Sequence, residues 1–429
     1  MNFFKTTYRK ESFEKFFFNT SWGFLEKLFK IINGLFILFF VSKYLKPEGF
    51  GELSYLIAIL SLLYIISDFG LNDVISKKIV VSTRSNIILN NLFSFRLINS
   101  IILILVSFLF YYSNFNQFKY LFLLFTLTLI FNSFKVIETY FQAKFQLKKT
   151  AIANIFTLVF SILFKVCLIY NNANLNYFIF SIFLDSIVNS ILLYFMYFTY
   201  SKVHIKISIN SSIYKKYFFE GYLLFFASIF SILILRIDQL MIKNLMSSYD
   251  LGIYSVAVTI AESVNFIPVV MSYSLYPYFV NVKLDESKYV ANLNKFLKFT
   301  TLIAIVLIAL FYLIGVNLIN EFIDPIYSFS ISISKILIFS IIFISLGTCS
   351  NSFYMRNNLE KLIFKRSLIC VSINIILNFI FIPKYGIIGA AYSTLISNIF
   401  SGYLFDYLNK ETRDLFYIKT KILTLQKLN

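Results

Sequence analysis

Hydrophobic stretches of about twenty residues recur along this chain from Trp22 to Leu408, with no long polar interval between them. An α-helix needs roughly twenty apolar residues to cross the hydrocarbon core of a bilayer. Of the 429 residues, 59% are hydrophobic and 20% are aromatic, and a soluble core cannot use so many long apolar runs. The sequence therefore predicts an all-α, polytopic membrane protein.

The apolar runs that are long enough to span the bilayer predict twelve membrane-crossing helices. They are expected at Trp22–Ser42, Gly51–Phe69, Ile88–Tyr112, Lys119–Gln142, Ala151–Tyr170, Tyr177–Tyr200, Phe218–Met241, Gly252–Phe279, Phe296–Leu318, Ser334–Tyr354, Leu362–Pro383 and Ile387–Leu408. The segment before the first of them mixes charges with phenylalanines and has no small-residue cleavage site, which predicts an uncleaved interfacial helix.

Basic residues are concentrated in alternate connections between the predicted helices. The rich set comprises both terminal segments and the connections near Lys77–Arg84, Lys144–Lys149, Lys202–Lys216, Lys283–Lys295 and Arg356–Arg366. The poor set contains only Lys43, Lys46, Lys119, Lys243 and Lys384. Because positively charged loops are retained in the cytoplasm, we expect the rich set, and with it both termini, on the cytoplasmic side.

Several kinds of chemistry find no support in the sequence. No glycine is followed by lysine, so the phosphate-binding Walker loop is absent. Cys167, Cys349 and Cys370 lie in apolar runs without paired spacing, and His204, the one histidine, is expected in a solvated loop. The dispersed lysines and arginines form no nucleic-acid-binding module. We therefore expect no catalytic residue, no metal site and no cofactor.

Charged residues inside the predicted helices are informative, because each costs roughly 2.5–3.5 kcal/mol at bilayer depth. In the first half, the spacing favours helical pairs between Glu26 and Lys30 and between Lys135 and Glu138. Arg96 and Lys165 have no acid three or four residues away on their own helices. They are expected to face a cavity, a neighbouring helix or an anion, or to extend their long side chains to the membrane surface.

In the second half, Arg236 and Asp238 are two residues apart and point to different sides of one helix. Glu262 lies deep in the next helix, where a carboxylate is either paired, with Arg236 as a candidate, or protonated. Asp185 in the sixth helix is a weaker candidate for a functional acid. Asn374 and Asn378 are expected to hydrogen-bond a neighbouring helix.

A faint internal repeat relates Glu48–Ser54, before the second helix, to Tyr249–Ser255, before the eighth. If the repeat is real, each half contains six helices, and an even number makes the halves parallel copies. The predicted organisation is an N-lobe at 1–200, a cytoplasmic linker at 201–217 and a C-lobe at 218–429.

Several segments of the chain carry a family resemblance. They are Tyr44–Tyr55 (YLKPEGFGELSY), Asp68–Leu71 (DFGL), Arg236–Ile242 (RIDQLMI), Leu251–Ser255 (LGIYS), Phe266–Pro268 (FIP), Asn374–Asn378 (NIILN) and Ile382–Thr394 (IPKYGIIGAAYST). Together they resemble the Wzx-type polysaccharide flippases of the multidrug/oligosaccharidyl-lipid/polysaccharide exporter superfamily. The resemblance implies two six-helix lobes around a central cavity, in a bacterial inner membrane.

By the same resemblance, the expected substrate is an undecaprenyl-diphosphate-linked oligosaccharide, which the protein would move to the periplasmic leaflet by alternating access for O-antigen or capsule synthesis. We expect Arg96, Lys135 and Lys165 to contact the diphosphate or anionic sugars. Arg236, Asp238 and Glu262 are expected to set coupling to H+ or Na+, or gating. Expected partners are membrane lipids, a polysaccharide polymerase and chain-length proteins.

Two alternatives stay open. One is a drug/cation antiporter of the same superfamily, although its pocket would be expected to be acidic and the first half is rich in intramembrane cations. The other is a membrane glycan polymerase or ligase. Such an enzyme needs a sizeable extracytoplasmic loop, and the longest expected here runs only from about Ile319 to Ile333.

Overall fold

The computed structural model describes residues 7–82, 85–114, 119–208, 211–279, 286–357 and 359–424, which are helical with no β-strand. The helices in the first half are α1 (Thr7–Phe36), α2 (Ser42–Asp68), α3 (Asn72–Val81), α4 (Ser85–Asn114), α5 (Lys119–Asn132), α6 (Val136–Ala143), α7 (Leu147–Tyr170) and α8 (Leu175–Ser201). Those in the second half are α9 (Ser211–Leu245), α10 (Ser248–Phe279), α11 (Glu286–Leu310), α12 (Val316–Phe322), α13 (Ser328–Leu337), α14 (Ser340–Arg356), α15 (Glu360–Ile399), α16 (Phe405–Leu408) and α17 (Arg413–Leu423).

Short 3-10 and π turns join several of these helices without a loop. They lie at Ile37–Val41, Ser133–Lys135, Phe311–Gly315, Pro325–Tyr327, Phe400–Leu404 and Lys410–Thr412. Each predicted membrane segment falls on described helical residues to within a few residues of its ends. The expected all-α membrane protein is therefore confirmed.

Seven helical runs among the described residues are long and apolar enough to cross a membrane, or eight if one bent pair counts as a span. Two of these runs, Ser21–Asp68 and Lys361–Leu408, are 48 residues long. At about 1.5 Å per residue such a run is more than twice as long as the hydrocarbon core is thick. Each contains a break with positive φ, at Lys46 (57°) and at Gly386 (62°). Each run therefore has room for two of the predicted helices, while the total of twelve crossings stays a prediction.

The chain divides into two compact units. Unit 1 comprises Met1–Ile37 and Ile59–Ile229, and unit 2 comprises Leu38–Ala58 and Phe230–Asn429. Most of the π turn that follows α1 and the first part of α2 thus group with the second half of the chain. The predicted lobes at 1–200 and 218–429, with their linker, stay a proposal.

Unit 1 has an apolar core where the short helices α3 and α6 pack together. Leu71, Leu92, Ile137 and Phe141 are almost fully buried there. The segment that follows α8 packs against this core through Ile205, whereas His204 on it is exposed, as expected. Its ring stacks on Phe198 with centroids 4.7 Å apart, and its Nδ1 lies 2.7 Å from the Tyr194 hydroxyl.

Unit 2 has a core formed mainly by α11, α14, α15 and the C-terminal helix α17. Phe296, Leu346 and Leu415 are fully buried in it. The same region also contains an ion pair without solvent access, in which Lys419 Nζ lies 2.5 Å from Asp406 Oδ2. The Lys419 ammonium also donates to the carbonyl oxygen of Gly402 at 2.6 Å. This pair fixes α17 to the end of the preceding helical run.

Candidate functional site

Unit 1 contains a cavity of about 260 Å³ between its membrane helices. The lining combines amides, hydroxyl groups, aromatic rings and charges of both signs. Its polar residues include Asn132, Asn154, Asn189, Lys135, Glu138 and Asp185. The Oδ1 atom of Asn132 is buried and accepts no hydrogen bond from the described residues. Such a lining can bind a ligand that has many hydrogen-bonding groups.

A chain of hydrogen bonds joins α1, α7 and α8 in the wall of this cavity. Lys30 Nζ donates to Glu26 Oε1 at 2.7 Å, so the pair expected from their spacing is formed. Asn154 Nδ2 donates to the same carboxylate oxygen at 3.0 Å, and Asn189 Nδ2 donates to Asn154 Oδ1 at 2.7 Å. The Glu26 carboxylate therefore binds the Lys30 ammonium and the Asn154 amide directly, and the Asn189 amide is linked to it through Asn154.

Lys165 is paired with an acid on the neighbouring helix. Its side chain is 7% exposed, and its Nζ lies 3.2 Å from Asp185 Oδ2. Ser161 Oγ donates to the same oxygen at 2.7 Å, and the ammonium also donates to Ser161. Sequence analysis left several environments open for Lys165. In the structure Lys165 contacts another helix, and its acidic partner there is Asp185.

Lys135 is exposed to the cavity and does not form the pair expected with Glu138. Its ammonium lies 5.2 Å from the centre of the Tyr64 ring, and no oxygen of Glu138 lies within 4 Å of it. Lys135 immediately precedes the first residue of α6, and its side chain extends toward the Tyr64 ring instead of toward Glu138.

Arg96 is fully buried and does not line the cavity. Its Nε lies 3.4 Å from Asp68 Oδ1, and its Nη2 donates to Asn72 Oδ1. Thr139 Oγ1 donates to the same amide oxygen at 2.8 Å. The guanidinium thus links α4 to the end of α2 and the beginning of α3, in a pair that holds these helices together.

Unit 2 contains a second cavity, of about 410 Å³, lined by side chains from α9, α10, α13, α14 and α15. Glu262 lines it and pairs with Arg236, whose Nη1 lies 3.4 Å from Glu262 Oε1. Of the two states considered for Glu262, paired or protonated, the structure therefore favours the ion pair. The Glu262 side chain is 39% exposed, which removes the cost of full burial.

Asp238 is the buried acid of this cavity, with 4% of its surface exposed. Asn378 Nδ2 donates to its Oδ1 at 2.9 Å, and Tyr254 donates to its Oδ2 at 2.7 Å. The Thr394 hydroxyl also donates to Oδ2. No lysine or arginine nitrogen of the described residues lies within 4 Å, so neutral donors alone hold the carboxylate.

The surroundings of Asp238 are rich in oxygen atoms. Asn378 thus makes the expected hydrogen bond to a neighbouring helix, and its Nδ2 also donates to Asn374 Oδ1 at 2.9 Å. Asn378 Oδ1 is buried and has no hydrogen-bond donor among the described residues. Carboxylate, amide and hydroxyl oxygens are the ligands that hard cations take. The described residues hold no group of three or more His, Cys, Asp or Glu side chains that could bind a metal ion.

Arg366 is a cavity residue that sequence analysis did not single out. It was counted with the cytoplasmic basic cluster Arg356–Arg366, at the beginning of the predicted helix Leu362–Pro383, but it is 7% exposed and lines the unit 2 cavity from α15. Its neighbours Lys361 and Lys365 are exposed, as expected. Helical periodicity explains the difference, since the next position along the helix turns inward by about 100°.

Comparisons with known proteins place this arrangement in context. A sequence model of the family described as "Polysaccharide biosynthesis protein" matches residues 40–328. No curated protein matches the chain significantly. Among solved structures, the chain is similar to an inward-facing multidrug resistance MATE family transporter of the MOP superfamily, with a TM-score of 0.68 and 13% identity over 93% of this chain and 95% of the other.

Two further solved structures share the fold. The lipid II flippase MurJ, in an inward closed conformation, has a TM-score of 0.65 and 16% identity over 95% of this chain and 91% of its own. A mutant MATE transporter of Vibrio cholerae has a TM-score of 0.61 and 11% identity over 96% and 97%. At such identities the likeness establishes a common transporter fold.

Proposed function

Because the chain belongs to the family of polysaccharide biosynthesis proteins, we propose that it is a flippase for an undecaprenyl-diphosphate-linked oligosaccharide. It would carry the headgroup from the cytoplasmic to the periplasmic leaflet of the bacterial inner membrane, with both termini in the cytoplasm. The repeat units would then serve O-antigen or capsule synthesis, together with a polymerase and chain-length proteins. Translocation by alternating access needs no covalent step.

The physical task explains why such a protein is needed. A sugar headgroup with a diphosphate cannot enter hydrocarbon alone, because each hydroxyl group and charge would lose its hydration. A polar cavity inside a membrane-spanning bundle replaces part of that hydration, while the polyprenyl chain stays in lipid.

The observation that best supports this proposal is the polar cavity of unit 1. Its lining contains three asparagines, several hydroxyl groups and the Tyr64 ring. These groups provide hydrogen-bond donors, acceptors and an apolar surface that complement those of a saccharide. The free acceptor Asn132 Oδ1 matches a sugar hydroxyl or amide N–H. Lys30 and Lys135 in the same lining provide positive charge for phosphate or acidic sugars.

The three cations singled out in the sequence then divide by position. Lys135 lines the cavity, and we assign the direct headgroup contact to it. Lys165 and Arg96 are neutralised by Asp185 and Asp68. In this conformation they act as positioning residues, because their charges are used to hold the helices that form the cavity wall.

Coupling is assigned to the acids and the arginine of unit 2. Asp238 has oxygen ligands around it and, among the described residues, no cationic partner within 4 Å, so we assign the uptake of H+ or Na+ to it. The Arg236–Glu262 pair links α9 to α10 beside it and would change partners when these helices move. Cation binding at Asp238 would thereby favour one conformation over another.

The translocation proposal is tested first in cells that lack the gene. Complete lipid-linked repeat units are expected to accumulate on the cytoplasmic face, and surface polysaccharide is expected to be lost. Normal surface polysaccharide without accumulation, in a strain that has no second flippase, contradicts the proposal.

The site assignment is tested with the purified protein in vesicles that contain the lipid-linked repeat unit. Lys135→Gln is expected to lower the rate about tenfold, the effect of losing one charge-assisted hydrogen bond of about 1.4 kcal/mol or more. Lys202→Gln, a change of an exposed lysine outside the cavity, serves as the matched control. Equal rates for the two variants would remove Lys135 from the site.

One observation favours a second candidate, a drug/cation antiporter. Glu138 and Asp185 line the same cavity as Lys135, and carboxylates could bind a cationic drug. The same vesicles loaded with a fluorescent organic cation separate the two functions. Cation efflux without translocation of the lipid-linked sugar would select the antiporter.

A further inference from the structure

Arg366 is a buried cation for which the described residues provide no acidic partner. Its Nη1 donates to the carbonyl oxygen of Gly347 at 3.2 Å, and its Nη2 donates to Asn351 Oδ1 at 2.7 Å. Both acceptors are uncharged. A buried cation without a counter-charge costs several kcal/mol, and intramembrane cations commonly mark a ligand pathway. Because Arg366 lines the 410 Å³ cavity of unit 2, the counter-charge can come from a ligand there.

Asp406, the acid near Arg366, is already neutralised by another cation. Asp406 receives the Tyr354 hydroxyl on Oδ1 and the Lys419 ammonium on Oδ2, the latter at 2.5 Å. The guanidinium of Arg366 instead lies over the Tyr354 ring, 5.4 Å from its centre. Lys419 and Asp406 therefore balance each other, and Arg366 adds one uncompensated positive charge.

The two acids of the cavity are also engaged elsewhere. Glu262 is paired with Arg236, and both oxygens of Asp238 accept hydrogen bonds from neutral donors. Asp238 is nevertheless the opposite charge that shares this cavity with Arg366. The net charge that an entering ligand meets thus depends on whether Asp238 carries a cation.

We propose that Arg366 anchors an oxyanion subsite in the unit 2 cavity, which takes a diphosphate group, and that a cation at Asp238 strengthens this binding. The planar guanidinium presents its donors in a fork that matches two phosphate oxygens. Asn398 lines the same cavity, and its amide has a second N–H besides the one that donates to the Thr394 carbonyl oxygen. The assignment to the lipid-linked diphosphate rests on the proposed function, whereas the oxyanion chemistry does not.

Cooperation between the two sites follows from charge alone. An ionised Asp238 repels an anion in the same low-dielectric cavity, and a bound H+ or Na+ removes this repulsion. Thermodynamic linkage requires the reverse effect as well, so the anion strengthens cation binding by the same factor. A carrier built in this way binds headgroup and cation together.

The experiment measures binding to the full-length protein in nanodiscs, with inorganic pyrophosphate as one probe and a polyprenyl diphosphate in the nanodisc lipid as the other. Affinity is determined in sodium and in N-methylglucamine buffers. We expect both probes to bind more tightly in sodium. Arg366→Gln is expected to weaken both at least tenfold, while Lys365→Gln, a change of the exposed neighbouring residue on the same helix, leaves them unchanged.

Two further variants make the test independent of the stability of Arg366→Gln. Arg366→Lys keeps the charge but loses the fork, and an intermediate affinity is expected. Asp238→Asn removes the negative charge, so pyrophosphate is expected to bind more tightly and without dependence on sodium. Equal affinity in wild type and both Arg366 variants, or weaker binding in Asp238→Asn, overturns the inference.

The two probes separate the possible sources of the anion. Binding of pyrophosphate without the polyprenyl diphosphate overturns the assignment to the lipid headgroup and leaves a soluble phosphate compound as the ligand. The binding experiment does not depend on translocation. If the wild-type protein fails to translocate lipid-linked sugar, the proposed function is contradicted, but the measured affinities still test the oxyanion subsite. Normal translocation by a well-folded Arg366→Gln contradicts the inference alone.

Discussion

Gly51 at the beginning of the second predicted span and Gly252 at the beginning of the eighth form a reciprocal backbone contact. A Cβ atom on Gly51 would lie 2.9 Å from the Gly252 nitrogen and would overlap the carbonyl oxygen of Ser248. A Cβ atom on Gly252 would lie 2.9 Å from Pro47 Cα and would overlap the carbonyl oxygen of Pro47. These glycines occupy equivalent positions in the predicted internal repeat, and their symmetrical contact is consistent with that repeat.

The first prediction concerns this contact. Gly51→Ala and Gly252→Ala should each destabilise the protein by about 1–3 kcal/mol, the usual cost of overpacking, because each new methyl group meets backbone that has no side-chain freedom. Gly34→Ala is the control, since a Cβ atom at that helical position has nothing within 4 Å. Thermal unfolding in detergent, followed by size-exclusion chromatography, measures the difference. Similar stability of all three variants would contradict the close approach.

The second prediction concerns the buried Arg96–Asp68 pair. Asp68→Asn should lower stability by about 3–5 kcal/mol, because it leaves the fully buried Arg96 without a counter-charge. Arg96→Gln should cost less, because the Asp68 side chain is 19% exposed and keeps part of its hydration. The double variant should be more stable than the sum of the single effects implies, which a double-mutant cycle measures. Additive effects would mean that the two charges do not depend on each other.

The third prediction compares two lysines on α17. Lys419 is fully buried against Asp406, whereas Lys421, two residues later, is exposed. Lys419→Ala should cost about 3–5 kcal/mol, because Asp406 would stay buried without its cation, and Lys421→Ala should change stability by less than about 0.5 kcal/mol. Thermal unfolding of the two variants side by side checks this. An equal effect would show that α17 is not anchored through Asp406.

The fourth prediction addresses the cation at Asp238. Sodium should raise the unfolding temperature of the wild-type protein, because a ligand that binds the folded state stabilises it. Thr394→Val keeps the side-chain shape but removes one oxygen beside Asp238, so it should reduce this sodium-dependent shift. Ser372→Ala, at an exposed position of α15, should leave it unchanged.

If Thr394→Val retained the full sodium shift, the hydroxyl would not be a cation ligand. If the wild-type protein showed no shift at any pH or sodium concentration, uptake of a cation at Asp238 would be contradicted. Potassium and N-methylglucamine at equal ionic strength separate specific binding from screening.

Sequence alone determined the class of this protein. Apolar runs, the short polar connections between them, and the motifs that resemble polysaccharide flippases are all local properties of the chain. They were sufficient for the helical segments and for the family, because hydropathy and short motifs are sums over neighbouring residues. The spacing of Glu26 and Lys30 predicted their ion pair for the same reason, since both lie on one face of α1.

Tertiary structure decided the partner of each buried charge. Lys165 found Asp185 on another helix, and Asp238 is bonded to residues 140 and 156 positions away. Arg366 was counted only with a cytoplasmic basic cluster and lines a cavity, while Lys135 faces the Tyr64 ring and does not pair with Glu138. Which charge is neutralised and which is left for a ligand depends on how helix faces meet, and periodicity within one helix contains no information about its neighbour.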